Sequence, residues 1–278
     1  MRLSIQLVLY LILESSFFVR SSVNREEDEE VKLFVNSEKY DVETTVMLNE
    51  VSRRDKEVAY KVKAALEVAP VWKGSDSEFL LKFELVSPQL LSRGKHVNAD
   101  FLPHKSIWDS YPQSVFYAHW KNGLILNSYL DLNELPDIVN YKRSLISLFQ
   151  LQVFDGEGTE TDVSGNCTVV YETLSKDTIR KIKSGCEGEG EWGETRRVTR
   201  YSLGAGRRLL REVHAEEVHE LRAAGGGLKA RAWTRLAHAA TRPAAPAARR
   251  PAPPAWLAPA ALHDPPQSPP HWPTDELL

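Results

Sequence analysis

Sulfur is scarce in this chain, with two cysteines and two methionines among 278 residues. Two cysteines cannot supply the disulfide framework by which small secreted scaffolds replace a core. Cys167 and Cys186 are also too far apart in sequence for the C-x-x-C pair of a redox catalyst. Charge of one sign is missing as well. Thirty-five Lys and Arg stand against 38 Asp and Glu, for a formal net charge of −3. That lacks the basic excess of a nucleic-acid binder, so no nucleic-acid partner is expected. Phosphate loops, dinucleotide fingerprints and the Gly-x-Ser-x-Gly elbow are absent, which removes the usual sequence grounds for an enzyme or a bound cofactor. The apolar run Leu3–Leu13 is too short to cross a bilayer core of ~30 Å as a helix, and no later run reaches that length. No transmembrane segment is expected.

The two ends differ from the middle. Met1-Arg2, the apolar run, Glu14 and the small residues Ser21-Ser22 have the order of a secretory signal peptide, expected over 1–22. The competing reading is a buried amino-terminal strand or helix. Residues 23–30 (VNREEDEE) are acidic and read as a mobile new terminus. At the other end, 11 of the 16 prolines follow Arg242. Residues 241–278 are rich in Pro, Ala and Arg and cannot bury enough apolar surface to offset ordering, so a disordered tail is expected. Its last residues, Thr274–Leu278, do not match the lumenal retention signal. The body is 31–240.

In the body, apolar and polar residues alternate through 40–48, 58–68 and 78–86, as a sheet with one wet face requires. Ser114–Trp120 and Leu124–Tyr129 flank Asn122-Gly123, the strongest short hairpin signal. One segment breaks the rhythm. After Pro136-Asp137, residues Ile138, Tyr141, Leu145, Leu148, Phe149 and Gln152 recur at helical spacing, with Lys142, Arg143, Ser144 and Ser147 as a polar face. Strand patterns resume at 159–174, 179–184, 196–203 and 228–236. The run 208–221 is ambiguous, since Leu, Arg, Glu and Ala also favour helix. The fold class is mainly β: a barrel or coiled antiparallel sheet with one amphipathic helix.

Two motifs then carry a resemblance. Asn140-Tyr-Lys-Arg-Ser-Leu-Ile-Ser-Leu-Phe-Gln150 is followed about a dozen residues later by Asp162-Val-Ser-Gly-Asn-Cys167. Both resemble the amino-terminal domain of the large lipid transfer proteins, the group of vitellogenin, apolipoprotein B, apolipophorin and microsomal triglyceride transfer protein. Ser147–Gln150, Asp162–Cys167 and Ile179-Arg-Lys-Ile-Lys183 are most similar to the triglyceride-transfer branch. The resemblance runs from about Phe34 to about Leu236. Ser144 and Tyr141 depart from the family's usual Gly and Ile, and the tail after Ala240 resembles nothing in it. The resemblance implies an amino-terminal β-barrel with a central helix, acting by binding rather than catalysis. It implies lipid transport and lipoprotein assembly, with triglyceride or phospholipid, an apolipoprotein B-like protein and, in a full-length context, protein disulfide isomerase as partners. It places the chain in the endoplasmic reticulum lumen, or outside the cell as a yolk-type lipoprotein fragment. A third reading is an interaction barrel that carries no lipid.

The candidate sites follow. In an oxidising compartment Cys167 and Cys186 form either one disulfide or two buried thiols; the resemblance favours the disulfide. Ile138, Leu145, Leu148 and Phe149 form a helix face that is either core or a lipid- or partner-touching surface. Asn166-Cys167-Thr168 is a formal glycosylation acceptor, weakened if Cys167 is bridged within a strand. His214, Glu216, Glu217 and His219 have the order H-x-E-E-x-H, which matches no metal-ligand spacing on a helix or a strand. No metal or catalytic residue is expected.

Overall fold

The computed structural model describes residues 33–51, 57–94, 100–105, 113–187, 194–204, 206–223, 226–244 and 258–260. The chain divides into two units, Met1–Glu30 and Val31–Leu278. Every described residue belongs to the second, so the signal-peptide expectation over 1–22 lies outside the described residues.

Among the described residues there are thirteen strands and one helix. In chain order they are β1 (Ser37–Glu50), β2 (Glu57–Ser75), β3 (Glu78–Arg93), β4 (Leu102–Pro103), β5 (Phe116–Lys121), β6 (Leu124–Leu130), α1 (Pro136–Ser147), β7 (Gly156–Asp162), β8 (Gly165–Ser175), β9 (Thr178–Ser184), β10 (Glu194–Gly204), β11 (Leu209–Ala223), β12 (Gly226–Arg242) and β13 (Ala258–Ala260). They make one antiparallel sheet in the order β13-β6-β5-β3-β2-β1-β12-β11-β10-β9-β8-β7, with β4 beside β3. Two meanders are thus fused back to back. The seam is the pairing of β1 with β12, from Ser37↔Arg242 to Glu50↔Leu228.

Alternation sets the faces. Tyr40 and Val42 are buried while Asp41 is exposed. Along β3, Phe79, Leu81, Phe83 and Leu85 are all buried at a spacing of two, with Leu80 buried on the opposite face as well. At the β5–β6 turn Asn122 and Gly123 take φ of 51° and 86°, the left-handed pair that a two-residue hairpin needs. Gly123 is required for space as well: a Cβ there would sit 2.3 Å from the Leu151 carbonyl oxygen.

Helix α1 begins with Pro at its first turn and Asp137 beside it, which suits the helix dipole. It lies on the inner face of the sheet. Ile138, Val139, Leu145 and Ile146 are buried, and Phe149 follows them into the core just past the helix. The Phe149 ring sits 5.3 Å from Phe83 and 5.9 Å from Tyr40, and the Phe34 ring sits 5.2 Å from Trp120. Such aromatic pairs add to the area term that dominates core stability.

Two sequence expectations change, and one ambiguity is resolved. The expected polar face of the helix is not a wet face: Lys142, Arg143 and Ser147 are buried, Lys142 because Glu134 and Ser114 receive it, Arg143 and Ser147 while bonding within the helix to Asn140 and the Arg143 carbonyl. The run 159–174 is two strands rather than one. It folds back at Val163-Ser164, where the Asp162 carboxylate accepts the Ser164 N–H at 2.9 Å. The ambiguous run 208–221 is strand, because β10 and β12 pair with it on both sides and this outweighs helix propensity. In the proline-rich tail, Ala258–Ala260 pair with β6 as the edge strand β13. No described helix is long and apolar enough to cross a membrane.

Candidate functional site

In the motif 140–150 the polar residues Lys142, Arg143, Ser147 and Gln150 are buried. Lys142 Nζ donates to Glu134 Oε1 at 2.6 Å and to the Ser114 carbonyl at 2.7 Å. The Ser114 N–H donates to the same Glu134 oxygen at 2.9 Å. This ties the helix to the segments before β5 and after β6. Burial draws the Lys142 ammonium below the usual lysine range, against the pull of Glu134.

Gln150 closes the sheet. Its side-chain Oε1 accepts the Ile125 N–H of β6 at 3.2 Å, and its Nε2 donates to the Thr161 carbonyl of β7 at 3.3 Å. β7 ends the sheet on one side, and β6 lies next to the last strand on the other. One amide therefore bridges the two ends of the twelve-strand path. The Gln150 carbonyl accepts from Lys181 Nζ at 2.7 Å and Tyr201 Oη at 2.9 Å, with Tyr171 Oη at 3.3 Å. Tyr171 has one proton, and it goes to the Glu160 carboxylate. Lys181 also pairs with Glu160 at 3.0 Å, both side chains at most 1% exposed.

Burial alone would push the Glu160 carboxyl up. The Lys181 charge and hydrogen bonds from Tyr171, Gln152 and Lys181 hold it below the usual carboxylate range instead. Burial likewise draws Lys181 down, but Tyr201, Tyr171 and Glu160 together carry it above the usual lysine range. Both groups are charged at neutral pH. They are sealed from solvent, so they position the Gln150 turn and reach no substrate. The motif is architectural.

A second polar group lies on the inner face toward the other end of β10 and β11. Arg197 Nε and His219 Nε2 both bind Glu217 Oε1, at 2.6 and 2.7 Å. Burial raises the Glu217 carboxyl, but the His219 hydrogen bond and the Arg197 charge outweigh it and take it down to about 2. His219 Nδ1 lies 3.2 Å from Thr195 Oγ1. His214 and His219 are five apart on a strand, so they project from opposite faces. Glu216 faces away with His214, 3.9 Å from Arg231. The sequence H-x-E-E-x-H is dispersed across a strand rather than gathered as ligands.

Cys167 and Cys186 are joined by a disulfide. Both are buried, and the bridge fastens the segment after β9 to β8. Asn166, next to Cys167, is exposed. Of the helix-face candidates, Ile138, Leu145 and Phe149 are fully buried and Leu148 packs partly against the core. These four residues lie in or against the core.

The apolar surface that is open lies elsewhere, and the periodic pattern alone did not reveal it. The inner face of β1 continues past Tyr40, Val42 and Thr44 to Val46 and Leu48. Register places Tyr60 and Ala232 beside Val46, and Val58 and Ala230 beside Leu48. The helix reaches only to Thr44, whose Oγ1 is 3.2 Å from Tyr141 Oη and 3.0 Å from Thr234 Oγ1. Beyond that point Val46, Leu48, Val58, Ala230 and Ala232 are half-buried and Tyr60 is exposed. On the β11 side the strip is bordered by Glu217 beside Ala232 and His219 beside Ala230, and the His104 ring lies edge-on to Tyr60 at 6.3 Å.

The comparisons with known proteins agree with this architecture. The vitellogenin N-terminal domain matches residues 37–217. The microsomal triglyceride transfer protein large subunit of Sus scrofa is 29% identical over 189 residues, covering 59% of this chain and 21% of the relative. The human large subunit is 30% identical over 137 residues, covering 46% of this chain and 15% of the relative. The chain thus spans about a fifth or less of the length of these curated relatives. A solved structure described as "lipid-protein interactions in lipovitellin" superposes with a TM-score of 0.61 at 16% identity, over 79% of this chain and 26% of that one. That likeness shows the fold. With the family match extending over more than half of its length, the chain belongs to the vitellogenin N-terminal domain family.

Proposed function

We propose that this chain works in lipid transfer in the secretory pathway, by binding and not by catalysis. The observation that carries the reading is the partly open apolar strip at Val46, Leu48, Val58, Tyr60, Ala230 and Ala232, which continues the inner face of β1 beyond Thr44. Such a strip gains free energy by leaving water, at about 25 cal/mol per Å² of apolar area buried. An acyl chain or the apolar face of an apolipoprotein B-like protein would cover it. The site of action is the endoplasmic reticulum lumen, with protein disulfide isomerase as a companion where the rest of a full-length protein is present. Secretion is the alternative.

The test is flotation of the purified chain with triglyceride-containing phosphatidylcholine vesicles, alongside mass spectrometry of copurified lipid. The expected result is bound lipid, lost in Leu48→Asp and Val58→Asp while the circular dichroism spectrum stays unchanged. Binding that survives both substitutions sinks the strip as the site. A second reading is a protein-docking module without lipid. It predicts no copurified lipid, together with capture of an apolipoprotein B-like fragment.

A further inference from the structure

The triplet Asn166-Cys167-Thr168 is the chain's one Asn-x-Ser/Thr acceptor. In the sequence it conflicts with a bridged Cys167, since a glycan and a disulfide would compete for one short segment. The fold separates them. Asn166 and Cys167 are consecutive on β8, so their side chains leave opposite faces. Cys167 is 1% exposed and points to its bridge with Cys186. Asn166 is exposed. Thr161 Oγ1 lies 3.4 Å from Asn166 Oδ1, on the oxygen side of the amide and not on the nitrogen that would take a sugar.

We propose that Asn166 carries an N-linked glycan in the same molecules that hold the Cys167–Cys186 disulfide. This rests on the secretory placement proposed above. The donor is a lipid pyrophosphate-linked oligosaccharide. A C–N bond forms between the sugar's anomeric carbon and Asn166 Nδ2, the sugar–phosphate bond breaks, the lipid pyrophosphate leaves, and the amide gives up one proton. The position has a physical consequence. Asn166 stands opposite Thr161 on β7, the edge strand. Unpaired edge strands recruit foreign strands, and a bulky hydrophilic group beside one blocks that pairing.

The experiment expresses the full chain in mammalian cells and compares mobility before and after peptide N-glycosidase treatment. Asn166→Gln, Thr168→Val and the bridge-free Cys167→Ser/Cys186→Ser chain are run in parallel. A reporter, Lys176→Asn, creates an acceptor with Thr178 on the exposed β8–β9 turn. The expected result is a one-glycan shift in the wild type, absent in the Gln and Val variants and retained in the double Ser variant. The glycosylated wild type should not react with maleimide, because its thiols are bridged. A reporter that gains a glycan while Asn166 stays bare overturns this inference and leaves the secretory placement standing. Glycan found only in the double Ser variant overturns coexistence with the disulfide. No glycan on either acceptor overturns the inference and the placement together.

Discussion

Lys181 and Glu160 illustrate what this chain asks of single residues. Each is an uncompensated charge without the other, at a site water does not reach. Removing one partner of such a pair costs about 3–5 kcal/mol. Lys181→Met and Glu160→Gln should each lower the urea midpoint by that measure. Glu160→Leu combined with Lys181→Met should recover most of the loss, since the desolvation of both charges disappears at once. If the double variant is no better than either single one, the pair contributes more than mutual compensation. Gln150 is a different case. Leu at that position keeps the volume but leaves Ile125 N–H and the Thr161 carbonyl without their amide partner. The expected cost is about 2–6 kcal/mol, at one to three for each of the two orphaned buried groups. Thermal melts of Gln150→Leu and Gln150→Glu check it. The Ser-Leu-Phe-Gln motif was legible in the sequence, yet its role was not. Its partners at 125, 161, 181 and 201 are up to 51 residues away, and no periodicity reports contacts of that kind.

At the scale of elements, the signals that were legible are those that act locally. Asn122-Gly123 specifies its hairpin by backbone preference alone, so it was visible without the fold. Gly123→Ala should destabilise by more than 1 kcal/mol or so, because it adds a Cβ both to a left-handed residue and against the Leu151 carbonyl. A two-state urea titration reads this directly. Calorimetry that finds the variant as stable as the wild type would show that Leu151 can move aside. The elements that the sequence leaves open or misplaces are those decided from outside. The run 209–223 has helix-favouring residues and becomes strand only because two neighbours pair with it. Lys142, Arg143 and Ser147 look like a solvated helix face until Glu134 and Ser114 are brought to meet Lys142. The disulfide stands between the two cases. Its loop is short, with a sequence separation of 19, and loop-closure entropy assigns it about 3 kcal/mol. Cys167→Ser/Cys186→Ser should lose an amount of that order and still fold.

For the whole molecule, pH acts through the buried charges, and the signs can be followed group by group. Glu160 and Glu217 are both held below their unfolded values, Glu217 at about 2. A depressed carboxylate adds stability above its unfolded pKa of about 4.3, and that stability drains away as pH falls through the folded value. Lys181 is raised, so its contribution is complete below about 10.4 and is lost only as the solution becomes more alkaline than its folded value. Stability should therefore be flat from about pH 5 to about pH 8, where buried Lys183, drawn down to about 8 by burial, begins to lose its proton, and fall steeply below about pH 4. Glu217 is 35% exposed, so water screens its share, and Glu160 dominates the acid limb. The Glu160→Leu/Lys181→Met chain should consequently keep its melting temperature to lower pH than the wild type does. Because Glu160 on β7 accepts from Gln152 and pairs with Lys181 of β9, which donates to the Gln150 carbonyl at the junction of the sheet, acid should open that junction first. Amide exchange at Ile125 should then accelerate at pH 4 before exchange along the β1–β12 seam does. Simultaneous acceleration at both places would mean that the sheet unfolds as one unit and that the junction is no weaker than the seam.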